Sequence, residues 1–344
     1  EVDAQGMLLE TFLRRAKETE QLGIERPSAW VVSRAEPPIR ASHPRRILLL
    51  AGAVVLAAVF GAFLVQIAEL LRLSRFVSLD QIDHDLALAT HGIVPKVKGS
   101  LRFTDPGKSE SRRQIDPAFG FAIQRVAAGA GFWIHKNRCL EPILFTSALP
   151  GEGKTTIATG FAVALAGRNR NILLIDADLR RPRVHQLLGM NNDIGLSDIL
   201  CEDRDTDIRS LCRPTGHAGL SVITAGPAHP ANSPHPDMAS IARFIGSTVR
   251  EFDLVIIDAP PVLPVPDALV LASMFRHTIF VIRWNGAKRR AINHAVDHLV
   301  RAGASISGVV LNAANMSKLA KMDCTEAHYL RERSYRRYLE GQTS

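Results

Sequence analysis

The sequence predicts an α/β fold, a mostly parallel sheet with helices on both faces, preceded by one transmembrane helix. Three observations carry this reading. From residue 118 onward, short continuous apolar runs alternate with stretches of helical period, as in parallel strands buried on both faces. One such run feeds a glycine-containing loop that ends in a lysine and two threonines, Gly151–Thr156. Nineteen residues, Ile47–Val65, contain no charged or strongly polar side chain, close to the length that crosses a hydrocarbon core.

Taken in chain order, residues 3–23 read as the end of an amphipathic helix, with Met7, Leu8, Leu9, Phe12 and Leu13 on one side. Residues 35–46, AEPPIRASHPRR, form a proline-rich neck that cannot be helical throughout. The membrane span is drawn at 47–71. Residues 72–117 are polar and mixed, and are expected to be a linker with little structure of its own. A nucleotide-binding domain over 118–322 and a tail over 323–344 complete the chain. Because it begins with Glu rather than Met, the sequence reads as a piece of a longer protein or a processed one.

Basic residues flank the span on both sides, Arg40, Arg45 and Arg46 before it, Arg72 and Arg75 after it, so charge does not set its orientation. The loop at Gly151–Thr156 does, because its glycines, lysine and threonines are the pattern of a site for ATP, a cytosolic ligand: that side faces the cytoplasm and residues 1–46 face the opposite compartment. The net charge is +8, but the basic residues form no stripe interleaved with aromatics. Anionic lipid and phosphate ligands account for them, and nucleic acid is not implied. Cys139, Cys201, Cys212 and Cys324 show no metal-ligand spacing and read as reduced thiols. His217, His229 and His235 lie in a Gly/Pro-rich loop and suggest no metal centre.

Within the domain, strands are expected at 143–146, 172–176, 220–224, 254–258, 278–283 and 308–312. Helices are expected at 155–166, 236–251 and 288–302. The run PILFTS leads into ALPGEGKTT and then a helix, the strand–loop–helix setting of a P-loop. In the loop Pro150, Gly151, Glu152, Gly153, the two glycines let backbone N–H groups turn toward phosphate, and the helix N-terminus adds a favourable dipole. Lys154 is placed to reach the β- and γ-phosphates, Thr155 to offer a hydroxyl to Mg²⁺, and Thr156 completes the loop. A second strand ends in Asp176 and Asp178, followed by Arg180 and Arg181. A third ends in Asp258, before Pro260 and Pro261. Carboxylates at this edge of an open α/β sheet sit where ligands bind. Asp176 and Asp258 are candidate Mg²⁺ ligands, and Asp176 or Asp178 a candidate acceptor for a proton. Asp267 fits either the site or a helix cap. Asn312, after the last strand, is a candidate reader of the adenine edge, with an ordinary strand-ending turn as the alternative.

The three motifs SALPGEGKTT, ILLIDADLRRP and FDLVIIDAPP occur in the order of the Walker A, A′ and B set of bacterial tyrosine kinases, and the chain resembles that family. Gly195–Leu200 and Gly308–Asn312 are similar to it as well. The proline neck and span resemble the last transmembrane helix of a polysaccharide co-polymerase, a chain-length determinant fused to the kinase. In the related chromosome-partitioning and septum-placing ATPases a signature lysine occurs early in the loop, where this chain has Leu149.

The resemblance implies an inner-membrane protein-tyrosine autokinase that uses ATP and Mg²⁺ and governs exopolysaccharide or capsule chain length and export. Residues 1–46 are then periplasmic. It also implies self-association with trans-phosphorylation, polymerase and export proteins as partners, and a phosphotyrosine phosphatase. The chain's three tyrosines, Tyr329, Tyr335 and Tyr338, lie within its last sixteen residues and are the candidate phosphoacceptors. One departure stands out: the Glu-x-x-Arg-x-x-Arg helix of the family has only Arg125 as a counterpart in residues 116–125. The alternative function is a catalytically silent ATP-binding switch or scaffold of the export machinery.

Overall fold

The computed structural model describes residues 2–22, 46–73, 79–97, 99, 101–103, 116–131, 141–166, 170–198, 211–227, 237–248 and 251–320. The chain divides into two units, residues 1–66 and 67–344. The first holds helix α1 (Val2–Leu22) and most of α2 (Arg46–Leu73). Met7, Leu8, Leu9, Phe12 and Leu13 of α1 are all exposed. Within α2, Ile47–Ile67 has a mean hydropathy of 2.8 and is long and apolar enough to cross a membrane.

The second unit is built on a sheet that has eight strands among the described residues, in the order β1-β8-β7-β2-β6-β3-β5-β4. The strands are β1 (Thr90–Pro95), β2 (Ile143–Ser147), β3 (Ile172–Asp176), β4 (Arg213–Pro214), β5 (Leu220–Ile223), β6 (Leu254–Asp258), β7 (His277–Arg283) and β8 (Ile306–Ala314). All pairings are parallel except the two-residue β4 against β5. Side chains alternate between faces along a strand, and here both faces are dry. Leu144, Leu173, Ile175, Val255 and Ile257 join one core; Ile143, Phe145, Ile172, Leu174 and Ile256 join the other. That is why the strands read as unbroken apolar runs.

The first core is covered by α7 (Met238–Thr248), α8 (Asp267–Met274) and α9 (Arg289–Arg301); the second by α4 (Pro117–Gly129), α5 (Lys154–Ala166) and α6 (Val184–Leu188). Asp116 caps α4 by accepting the Ala118 N–H at 2.9 Å, and Pro117 occupies the first turn. Phe119, Ala122, Ile123, Val126 and Ala127 then bury one stripe of α4, leaving Arg125 on the outer side.

Residues 72–117 require a correction: they are more than a linker. They supply α3 (Leu79–Leu86) and β1, the edge strand beside β8. Ile93 and Val94 are buried, and Asp85 of α3 forms an ion pair with Arg289 of α9. Gly92 lets the edge strand lie against α4, where a Cβ would sit 3.3 Å from a Val126 methyl. The segment was hidden because only two consecutive apolar residues mark it. The neck up to residue 45, residues 104–115 and the tyrosine-bearing tail lie outside the described residues, as do Cys139, Cys201, Cys324, His229 and His235.

Candidate nucleotide site

The loop between β2 and α5 occupies the C-terminal edge of the sheet and lines a cleft of about 700 Å³. Pro150, Gly151, Glu152, Gly153, Lys154, Thr155 and Thr156 all contribute to it, with Asp178, Arg180 and Asn312. Gly151 and Gly153 have φ of +83° and +91°, the left-handed region open to glycine at little cost. The loop also closes on itself. The buried Glu152 carboxylate accepts the Leu149 N–H at 2.9 Å, and burial pushes its pKa up to about 7.

Lys154 is nearly buried and meets the two other motifs. Its Nζ lies 2.8 Å from Asp178 Oδ2 and 3.8 Å from Asp258 Oδ1. Burial opposes its charge, but Asp258 and Asp178 outweigh that and raise its pKa. Asp178 also accepts the Arg181 N–H, at 3.0 Å. Three stretches far apart in sequence are thus brought together.

Asp176 and Asp258 are in register on neighbouring strands, and both are fully buried. Burial raises the pKa of each carboxyl. Their surroundings differ. Asp176 accepts the N–H groups of Asp178, Arg183 and Val184 at 3.2, 3.1 and 3.0 Å. Its oxygens organise the turn that follows β3. Both oxygens of Asp258 are buried with no hydrogen-bond donor among the described residues. The Thr155 hydroxyl and the Lys154 ammonium favour its ionised form. An ionised carboxylate without donors, beside a hydroxyl, fits a divalent cation or its bound water. No group of three or more His, Cys, Asp or Glu side chains suited to a metal occurs among the described residues.

Asp267 is the first residue of α8, whose N-cap is Pro266, and its carboxylate lies 3.6 Å from Arg180 Nε. It faces the site's arginine instead of capping its own helix. Asn312 is placed against the loop: its Nδ2 donates to the Glu152 carbonyl at 2.8 Å and its Oδ1 accepts the Ala313 N–H at 2.7 Å. Two contributors were missed in the sequence. Arg283, the last residue of β7, donates to the Gly151 carbonyl at 3.0 Å, and Lys96 lines the cleft just after β1. Arg283 could have been found from its position at the edge of the sheet where ligands bind.

The model of the CobQ/CobB/MinD/ParA nucleotide binding domain family matches residues 143–332. The tyrosine-protein kinase YwqD of Bacillus subtilis (strain 168) is 30% identical over 182 residues, which span 53% of this chain and 76% of that kinase. The tyrosine-protein kinase ptk of Acinetobacter johnsonii is 26% identical over 304 residues, 82% of this chain but 39% of its own length. Among solved structures, the kinase domain of Escherichia coli tyrosine kinase ETK superposes with a TM-score of 0.57 at 22% identity, covering 70% of this chain and 95% of that domain.

Proposed function

The chain belongs to the CobQ/CobB/MinD/ParA nucleotide-binding family and, within it, to the bacterial tyrosine kinases, and on that premise we propose that it is a membrane-anchored, ATP- and Mg²⁺-dependent tyrosine autokinase. The observation that carries this reading is the convergence of Lys154, Asp178 and Asp258 beside the P-loop. Loop amides and Lys154 hold the triphosphate. Thr155 and Asp258 are the residues that would hold Mg²⁺, which when bound offsets phosphate charge. A tyrosine hydroxyl has a pKa near 10 and needs a base. Asp178 takes that proton as the phenolic oxygen bonds to the γ-phosphorus and the bond to the bridging oxygen of ADP breaks. Asp176 shapes the turn that presents Asp178. Arg180, steadied by Asp267, faces the charge on the transferred group.

Tyr329, Tyr335 and Tyr338 are the acceptors, reached on a neighbouring copy in a homo-oligomer. Each phosphate adds about −1.5 to −2 charges, against Arg331, Arg333, Arg336 and Arg337 in the same tail. Several phosphates therefore invert the local charge of the stretch 329–338, where the four arginines face only Glu332, and alter what it binds. The apolar span of α2 anchors the protein in a bacterial inner membrane, with the kinase in the cytoplasm and residues 1–46 in the periplasm. There it regulates exopolysaccharide or capsule polymerisation and export together with the polymerase and export proteins, and a phosphatase resets it.

The test is incubation of the full chain, in detergent, with radiolabelled ATP. Label on the peptide holding Tyr329–Tyr338, abolished by Lys154→Met, is the expected result. Binding and slow hydrolysis without label would instead identify an ATP-dependent switch. Absence of Mg²⁺-dependent ATP binding would overturn both.

A further inference from the structure

Two peptide groups of the P-loop are fixed from outside the loop. The carbonyl of Gly151 is held by the Arg283 guanidinium at 3.0 Å, from the end of β7. The carbonyl of Glu152 is held by Asn312 Nδ2 at 2.8 Å, from β8. The Asn312 amide is itself oriented, because its Oδ1 accepts the Ala313 N–H at 2.7 Å. In a planar trans peptide the carbonyl and the following N–H point to opposite sides. Drawing both carbonyls toward β7 and β8 therefore turns the N–H groups of Glu152 and Gly153 the other way. The fit is close: a Cβ on Gly153 would lie 2.0 Å from Asn312 Nδ2. Glycine at this position thus serves the contact as well as the left-handed turn.

We infer that Arg283 and Asn312 are positioning residues, a latch from two strands that presets the P-loop amides for a polyphosphate. The inference rests on the nucleotide reading above and deepens it. It also gives Asn312 a task other than reading the adenine edge. Neither side chain needs to touch the nucleotide: each acts through a carbonyl on the far side of a peptide from the N–H that binds. Preorientation matters because amides already aimed at the anion do not have to be reordered when it arrives.

The test uses the full chain in detergent, as wild type, Arg283→Met, Arg283→Lys and Asn312→Leu, titrated with Mg·ATP and separately with inorganic pyrophosphate. Loss of one preorganised hydrogen bond should raise the dissociation constant for Mg·ATP about tenfold in Arg283→Met and in Asn312→Leu. Pyrophosphate affinity should fall by the same factor. Arg283→Lys, which keeps a donor, should recover most of the loss. Melting curves without ligand should superimpose on the wild type for the exposed Arg283 variants and shift down for Asn312→Leu, which leaves the Glu152 carbonyl and the Ala313 N–H unpaired. If Asn312→Leu fails to fold, the exposed Arg283 pair decides alone. Wild-type affinity in Arg283→Met overturns the inference and leaves the nucleotide reading standing. Loss for ATP with unchanged pyrophosphate binding also overturns it, since the residues would then be sensing the base. A wild-type chain that binds neither ligand overturns the nucleotide reading and this inference with it.

Discussion

The ends of β3 and β6 carry the same residue at the same register, Asp176 beside Asp258, both without solvent exposure. One carboxylate is saturated by three backbone donors; the other has none among the described residues. Identical sequence signatures, an apolar run ending in aspartate, thus serve two purposes. The β3 end spends its oxygens' acceptor capacity on shaping a turn. The β6 end has no backbone donor on its oxygens among the described residues and is balanced instead by the Lys154 ammonium at 3.8 Å and the Thr155 hydroxyl, side chains of the P-loop itself. The first aspartate is held by the backbone that follows it, and the second by side chains of the P-loop.

Substitution can break that contrast. Asp176→Ala should lose the most, roughly 3–5 kcal/mol of unfolding free energy, because three N–H groups, those of Asp178 and Val184 buried, lose their acceptor. Denaturant unfolding measures it, and an unchanged midpoint would erase the distinction. Asp258→Asn should do the reverse: the chain without ligand melts no lower, while Mg²⁺-dependent ATP affinity falls about a hundredfold. Calorimetric titration with and without Mg²⁺ reads this directly.

A pH series sharpens the same point through Glu152, whose carboxyl rises from 4.5 to about 7 on folding. A raised carboxyl favours the folded state below its unfolded pKa, and the benefit is lost as pH climbs through the folded value. Stability should therefore fall between about pH 4.5 and 7. Glu152→Gln should flatten that decline and gain up to roughly 3 kcal/mol at pH 8, as followed by thermal melts. Asp267→Asn should give the smallest effect, about a threefold drop in phosphoryl transfer with ATP binding intact, since it only steadies a partly exposed Arg180.

The six strands expected from residues 143–312 are all present, with ends shifted by no more than a few residues, because a strand buried on both faces must be apolar throughout. The P-loop was legible for a related reason: its glycines, lysine and threonines are contiguous. What stayed hidden depends on partners distant in sequence. Thr90–Pro95 becomes a strand only because β8 lies beside it. The task of Asp176 is set by N–H groups seven and eight residues further on. Arg283 looked like a strand boundary and gains its role from a carbonyl 132 residues away.

The placement of β1 has a consequence for biosynthesis. Thr90 pairs with Val309, and β8 is the neighbour that β1 has in the sheet. At about 5–20 residues per second, a ribosome needs on the order of 10–40 seconds to make the intervening chain. Through that interval the nascent edge strand has no partner, so it depends on chaperones or on its own low hydrophobicity to avoid pairing with a stranger. The weak apolar character that concealed this strand in the sequence is then a safeguard while the chain is being made.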